Sequence, residues 1–197
     1  MAASIILASR SPYRRALLER LQLPFSCSVP EVDETPRQNE AASQLVMRLA
    51  EHKARAVIPP KTAASEVVIS IGSDQVALLE GDILGKPGDH VRAKTQLLRA
   101  SGKSVQFLTG LCVLNATSGV AQVNVIPYTV VFRRLSEDQI ERYLHKERPY
   151  DCAGSFKSEG LGVALFERQM GDDPTALIGL PLIQLTTMLA AEGIHVI

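Results

Sequence analysis

Excess charge of either sign is the first thing this chain lacks. Its 197 residues carry 21 Lys+Arg against 21 Asp+Glu. That balance speaks against a general nucleic-acid coat while leaving room for a local basic pocket. Cysteine frameworks are lacking too. Cys27, Cys112 and Cys152 are widely separated and form no CxxC pair, which points to a reducing compartment and away from a structural zinc. No apolar run approaches the roughly 18 residues of a membrane span, and the N-terminus reads into a strand without a signal-peptide pattern. The expectation is a cytoplasmic chain with no membrane partner. Two common phosphate motifs are missing. "GDILGKP" is one residue short of a Walker loop and carries Pro87 where Ser or Thr should stand, and no GxGxxG follows a strand. The four histidines, His52, His90, His145 and His195, have no clear serine or cysteine partner for a triad.

What the chain does have is 46% hydrophobic residues, enough for a sizeable core in one domain spanning 1–197. Ser4 to Ala8 reads as a buried strand. Ser11 as N-cap and Pro12 at the first helical position open a helix to about Leu21. A longer helix is expected over about 38–58, stopped by Pro59-Pro60. "EVVISIGSDQVALLEGD" reads as a strand breaking at Gly72-Ser73-Asp74, a second short strand, and a turn at 80–82. Asp89 caps a helix to about Ala100. Val105–Leu114 and Val120–Phe132 flank a turn at 117–119 as a hairpin. Ser136 and Gln139 form a capping box for a helix to about Lys146, "CAGSFKSEGLGVALFE" is glycine-punctuated and then strand-like, and Pro181–Ala191 closes the chain. The pattern predicts an α/β fold with a mixed sheet flanked by helices.

Several clusters could carry chemistry. In "SIILASRSPYRRALLERL" a strand passes through Ser9, Arg10 and Ser11 into a helix N-terminus, where free N–H groups favour an anion. Arg14 and Arg15 sit in the first turn, where a cation is unfavourable, so either a phosphate or solvent carboxylates must offset them. "PEVDET" groups Glu31, Asp33 and Glu34 in an irregular segment that suits a hard cation such as Mg²⁺ or a solvated loop. Asp74 at the end of a strand is a general base, a metal ligand or the first residue of a turn. Lys53 falls on the apolar stripe of its helix, three residues from Ala50 and four from Leu49 and Val57. It either snorkels outward or points its ammonium into a site. Lys86 lies in the tight "GKP" loop, and the same choice holds for it.

Taken in order, "ASRSPYRR", "PEVDET", the helical Lys53, "GSDQV", "GKP" and "AGSFKSEGLG" resemble the Maf family of nucleotide pyrophosphatases over nearly the whole chain. The resemblance implies an inosine-triphosphatase-like fold with a cleft between two lobes. It also implies hydrolysis of a nucleoside triphosphate to a monophosphate and pyrophosphate with a divalent metal, Mg²⁺ or Mn²⁺, and a homodimer. By the same resemblance Asp74 matches the proton acceptor. Ser9, Arg14, Arg15, Lys53 and Lys86 match phosphate-binding positions, with Lys53 and Lys86 counted among the catalytic residues. Glu34 matches the acidic-loop residue and, with Asp74, a metal ligand.

Three further positions divide that family by substrate. Where the branch acting on dTTP and UTP typically reads Arg, Thr and Gln, this chain has Tyr13, Gln75 and Glu159. This looks like the branch hydrolysing 7-methyl-GTP, with Tyr where that branch usually carries Trp. The chemistry agrees: N7-methylation makes guanine cationic, which an aromatic face attracts and an arginine repels. A carboxylate such as Glu159 accepts from both N1–H and the exocyclic amine. The expectation is therefore a 7-methyl-GTP pyrophosphatase. The alternatives are a preference for dTTP, UTP or another modified nucleotide, or a nucleotide-sensing regulator of cell division.

Overall fold

The structure is a computed structural model describing residues 3–59 and 67–197. Pro60 and Glu66, at the margins of the expected helix stop and strand start, lie outside the described residues. The apolar run of β1 (Ser4–Ala8) is buried on both faces, and it lies parallel to β2 (Ser26–Ser28) on one side and to β3 (Val68–Leu79) on the other. From β3 onward every pairing is antiparallel: β4 (Asp82–Leu84) and β5 (Ser104–Asn115) with β3, β6 (Ala121–Phe132) with β5, and β7 (Phe166–Met170) with β6. The result is one seven-stranded mixed sheet in the order β2-β1-β3-β5-β6-β7, with β4 beside the distal half of β3. This is the mixed α/β class the alternation of elements predicted.

The helices divide unequally between the two faces. α2 (Ala42–Ala56) lies across one, setting Val46, Leu49, Ala50 and Ala54 against Val76, Cys112 and Leu114. The larger core fills the other face. There Ile69, Ile71, Phe107 and Leu111 pack with residues of α1 (Pro12–Glu19), α3 (His90–Ala100), α4 (Glu137–Glu147), α5 (Thr175–Ile178) and α6 (Leu182–Ala191). The caps form as predicted. Ser11 Oγ accepts the Arg14 amide, Asp89 Oδ1 accepts the Arg92 amide, and Ser136 and Gln139 exchange both capping-box bonds. Among the described residues no helix is long and apolar enough to cross a membrane.

Three expectations change. α2 begins at Ala42 rather than near Gln38, because Asn39 sits at φ +58°, a left-handed conformation that a helix interior does not accept. It ends at Ala56, short of Pro59, which disfavours helical backbone in the residue before it. The predicted break at Gly72-Ser73-Asp74 does not occur. β3 runs unbroken through all three, and Asp74 lies in mid-strand rather than at an end. Gly72 marks a close approach instead. A Cβ there would collide with the Ala50 carbonyl oxygen, and one at Gly110, opposite Asp74 on β5, would collide with that of Val46. The two glycines let the α2 backbone rest directly on the sheet.

Candidate active site at a notch in the sheet

β1 ends with Ala8 opposite Gly72, and the antiparallel β4 ends with Leu84 opposite Ala77. Along that edge of β3, residues 73–76 have no strand beside them among the described residues. A cleft of about 1130 Å³ opens at this notch, and strand alternation sends side chains into it from two directions. Asp74 shares its face with Gly72 and Val76 under α2, while Ser73 and Gln75 face α5 and the larger core.

On the α2 face, Lys53 is 6% exposed and carries its ammonium inward, not out to solvent. Its Nζ lies 2.6 Å from Asp74 Oδ1 and 2.7 Å from Glu34 Oε1. The close seat of α2 on Gly72 is what brings Lys53 within reach, and Ser70 Oγ fastens the same helix by donating to the Ala54 carbonyl at 2.8 Å. Partial burial works against ionisation of Glu34. Bonding to Lys53, with the nearby charges of Lys86 and Arg14, outweighs it and holds the carboxyl below its ordinary range. The acidic loop bearing Glu34 is pinned from behind. Arg48 on α2 donates through Nε and Nη2 to the two oxygens of Glu40, at 2.6 and 2.7 Å, and through Nη2 to the Thr35 carbonyl at 3.1 Å.

On the opposite face, the single turn of α5 directs its carbonyls at the sheet. Gly179, at φ +116°, ends that turn, and its carbonyl accepts from Ser73 Oγ at 2.8 Å and Arg14 Nε at 2.9 Å. A side chain at Gly179 would press on the Arg14 guanidinium. Burial lowers the Arg14 pKa, opposed by Asp74 and Glu34. Gln75 Nε2 donates to the Ala176 carbonyl at 2.7 Å, the Leu177 carbonyl at 3.3 Å and Thr109 Oγ1 at 2.9 Å. Gln75 thus lines the cleft while its amide nitrogen is committed to holding α5.

The rim brings together Tyr13, Glu159 and a neighbour that spacing gave no reason to single out, Asp151. The Tyr13 hydroxyl donates to Asp151 Oδ2 at 3.3 Å. Burial raises its pKa above the usual tyrosine range, with Cys152 and Asp151 adding to the effect. Cys152 is a thiol pushed up to about 12, chiefly by burial. All three cysteines are free. Ser9, Glu34 and Lys86 line the same cleft, as do the buried rings of Phe107 and Phe156. Arg15 does not. Its exposed guanidinium pairs with Glu19 one turn along α1, at 2.9 Å. Of the two arginines in the first turn, Arg14 lines the cleft and Arg15 turns to the solvent-exposed carboxylate of Glu19.

For a divalent cation at this site the donor set is apt. Glu34 and Asp74 offer hard oxygens, and both already reach the single ammonium of Lys53. A distinct group elsewhere, His90, Glu141 and His145, has the arrangement of a possible metal-binding triad.

A mixed, largely antiparallel sheet notched beside a buried lysine–carboxylate pair is an α/β architecture distinct from the Rossmann and P-loop ones. The chain belongs to the Maf family: the model described as "Maf-like protein" matches residues 4–192. It is 56% identical to a protein named 7-methyl-GTP pyrophosphatase from Pseudomonas syringae pv. syringae, over 98% of both chains. Proteins of the same name from Nitrosococcus oceani (54%, over 98% of this chain and 96% of that one) and Methylobacillus flagellatus (55%, over 98% of both) are similarly close.

Proposed function

We propose that this chain, acting as one Maf-like unit over 1–197, hydrolyses 7-methyl-GTP to 7-methyl-GMP and pyrophosphate, clearing a modified nucleotide from the cytoplasmic pool. The observation that carries the reading is the lining of one cleft by Tyr13 and Glu159 together with the Lys53–Asp74 pair. The names of relatives at 54–56% identity over nearly the whole chain support it. Three free cysteines and a net charge of zero suit a reducing compartment and a free nucleotide rather than a nucleic acid.

Water attacks the α-phosphorus, its proton passes to a carboxylate oxygen of Asp74, and the bond to the bridging oxygen breaks to release pyrophosphate. Lys53 grips Asp74 Oδ1, so Oδ2 is the oxygen left to take that proton. Arg14, Lys53, Lys86 and the Ser9 hydroxyl meet the charge that grows on the departing pyrophosphate. Arg14 is fixed for this through Nε, which leaves its terminal nitrogens for phosphate oxygens. Glu34 and Asp74 would hold Mg²⁺ or Mn²⁺, which when bound neutralises triphosphate charge. At the rim the Tyr13 ring faces the cationic base, and Glu159 accepts from its N1–H and exocyclic amine.

The test is pyrophosphate release from 7-methyl-GTP, GTP, dTTP and UTP with Mg²⁺ or Mn²⁺, with Asp74→Asn as control. Preference for 7-methyl-GTP, lost in the variant, is expected. Preference for a pyrimidine would overturn the roles of Tyr13 and Glu159, and binding without hydrolysis would favour a nucleotide sensor.

A further inference from the structure

Outside the cleft, α3 and α4 bring three ligand-type side chains to one point. His90 is the first residue of α3, and Glu141 and His145 lie one turn apart on α4. Glu141 Oε2 is 2.8 Å from His90 Nε2 and 3.6 Å from His145 Nε2, and one ligand atom from each residue lies within 4.8 Å of the others. None of the three lines the cleft. We propose that His90, Glu141 and His145 form a binding site for a first-row divalent transition metal, Zn²⁺ foremost, that ties α3 to α4.

Two imidazoles and a carboxylate are a zinc-type donor set, with a fourth position left for water. Tetrahedral bonds of about 2.0–2.1 Å place neighbouring ligand atoms about 3.3–3.4 Å apart, and the two measured spacings bracket that value. Nitrogen donors select against Mg²⁺, so this site and an oxygen-lined one in the cleft would take different ions.

The surroundings have the form of a supporting shell. His90 Nδ1 is 3.0 Å from the Tyr150 hydroxyl, which orients the ring, and Nε2 faces the accepting Glu141 carboxylate, so a metal bound there would take the place of the Nε2 proton. The other oxygen of Glu141, Oε1, is held by Lys94 at 3.0 Å. The Lys94 charge opposes a cation, but Lys94 also pairs with Glu137 at 3.1 Å, which offsets it. A simple ion-pair cluster would need only Glu141 and one cation. The second histidine, one helical turn on and with its ring 5.2 Å from that of His90, adds a second imidazole nitrogen beside the same carboxylate oxygen.

The measurement is titration of the purified chain with Co²⁺ and Zn²⁺ under saturating Mg²⁺. Wild type should bind one Co²⁺ with the visible absorption of a low-coordinate ion. Zn²⁺ at about 100-fold over its Kd should raise the thermal midpoint by about 5–10 °C. His145→Ala, whose side chain is 74% exposed, should keep its fold, its circular dichroism and its 7-methyl-GTP hydrolysis while losing both signals. His90→Gln should lose them as well, and Lys94→Met should tighten binding. Equal Co²⁺ spectra and equal Zn²⁺ shifts in wild type and His145→Ala, or no shift in either, would overturn the proposal. Because the readouts are spectral and thermal, they stand apart from whether 7-methyl-GTP is the substrate.

Discussion

Ala50 and Gly72 meet backbone to backbone: the helix carbonyl rests where any side chain on the strand would have to go. The neighbour in the way is main chain, which cannot rotate aside. Gly72→Ala must therefore lift α2 off the sheet, and with it Lys53. The expected outcome is a loss of at least about 1–3 kcal/mol in urea denaturation, together with a fall in kcat. An equally stable, equally active variant would show that α2 has slack at this point.

Lys53→Met separates two contributions of the buried pair. Asp74 is 8% exposed, and stripping the ammonium from it leaves a nearly buried carboxylate without its partner, a change that costs about 3–5 kcal/mol. Asp74→Asn is expected to destabilise less, yet to lower pyrophosphate release by about 10²–10⁴-fold. Denaturation curves and single-turnover rates on both variants check the contrast.

Arg14 and Arg15 are adjacent in sequence and unlike in place. Arg15→Ala removes an exposed pair with Glu19 and is expected to change KM by less than about fivefold, the range of a surface ion pair. Arg14→Ala removes a guanidinium docked on Gly179 and is expected to raise KM by about tenfold or more, the scale of a charge-assisted hydrogen bond.

Selectivity should follow Tyr13 and Glu159. Glu159→Gln is expected to reduce kcat/KM for 7-methyl-GTP by about 10–100-fold, since the amide loses a charged acceptor. Tyr13→Trp should raise it a few-fold through a stronger cation–π face. Steady-state kinetics against GTP isolates the effect of the methyl group's charge on Tyr13, and kinetics against UTP isolates the guanine edge read by Glu159; an unchanged ratio in either comparison would remove that residue from base recognition.

Acid should loosen the loop behind the site. The paired bonds from Arg48, with the Arg37 amide, hold Glu40 at about 2, against an ordinary 4.5. Between these values the unfolded chain binds the extra proton. Stability from the Glu40–Arg48 contact is therefore present above pH 4.5 and is lost as pH falls towards 2. Glu40→Gln should flatten the acid limb of the urea midpoint against pH in that window. Parallel limbs would mean that the contact adds nothing to stability.

Much of this architecture is written locally. Ser11, Asp89 and Ser136 announce their helices through a side-chain oxygen and a free amide a few residues on, and such signals survive folding. β2, β4 and α5, of three, three and four residues, are too short to show a period; they exist because tertiary neighbours hold them. Gly72 misleads for a related reason. A glycine that breaks a strand and one that admits a helix look identical in sequence, and only the position of Ala50 distinguishes them. Gln75 and Arg15 could be picked out as polar residues near a site. Which way each turns depends on α5 and Glu19, which a linear reading does not place.

Asp74 and Gln75 are neighbours whose side chains leave β3 on opposite faces, one towards a lysine and the other towards a helix turn. Chemistry and scaffolding therefore share one strand as two interleaved reading frames. Deleting a single residue between Val68 and Ser73 would move Asp74 into the slot of Ser73 and turn it away from Lys53 towards the Gly179 carbonyl, while Gln75 moved under the helix in its place. A substitution at Asp74 or at Gln75 alters one of the two roles. A change in its length by one exchanges both at once, so the residue count of this segment is a tighter constraint on the site than the identity of either side chain alone.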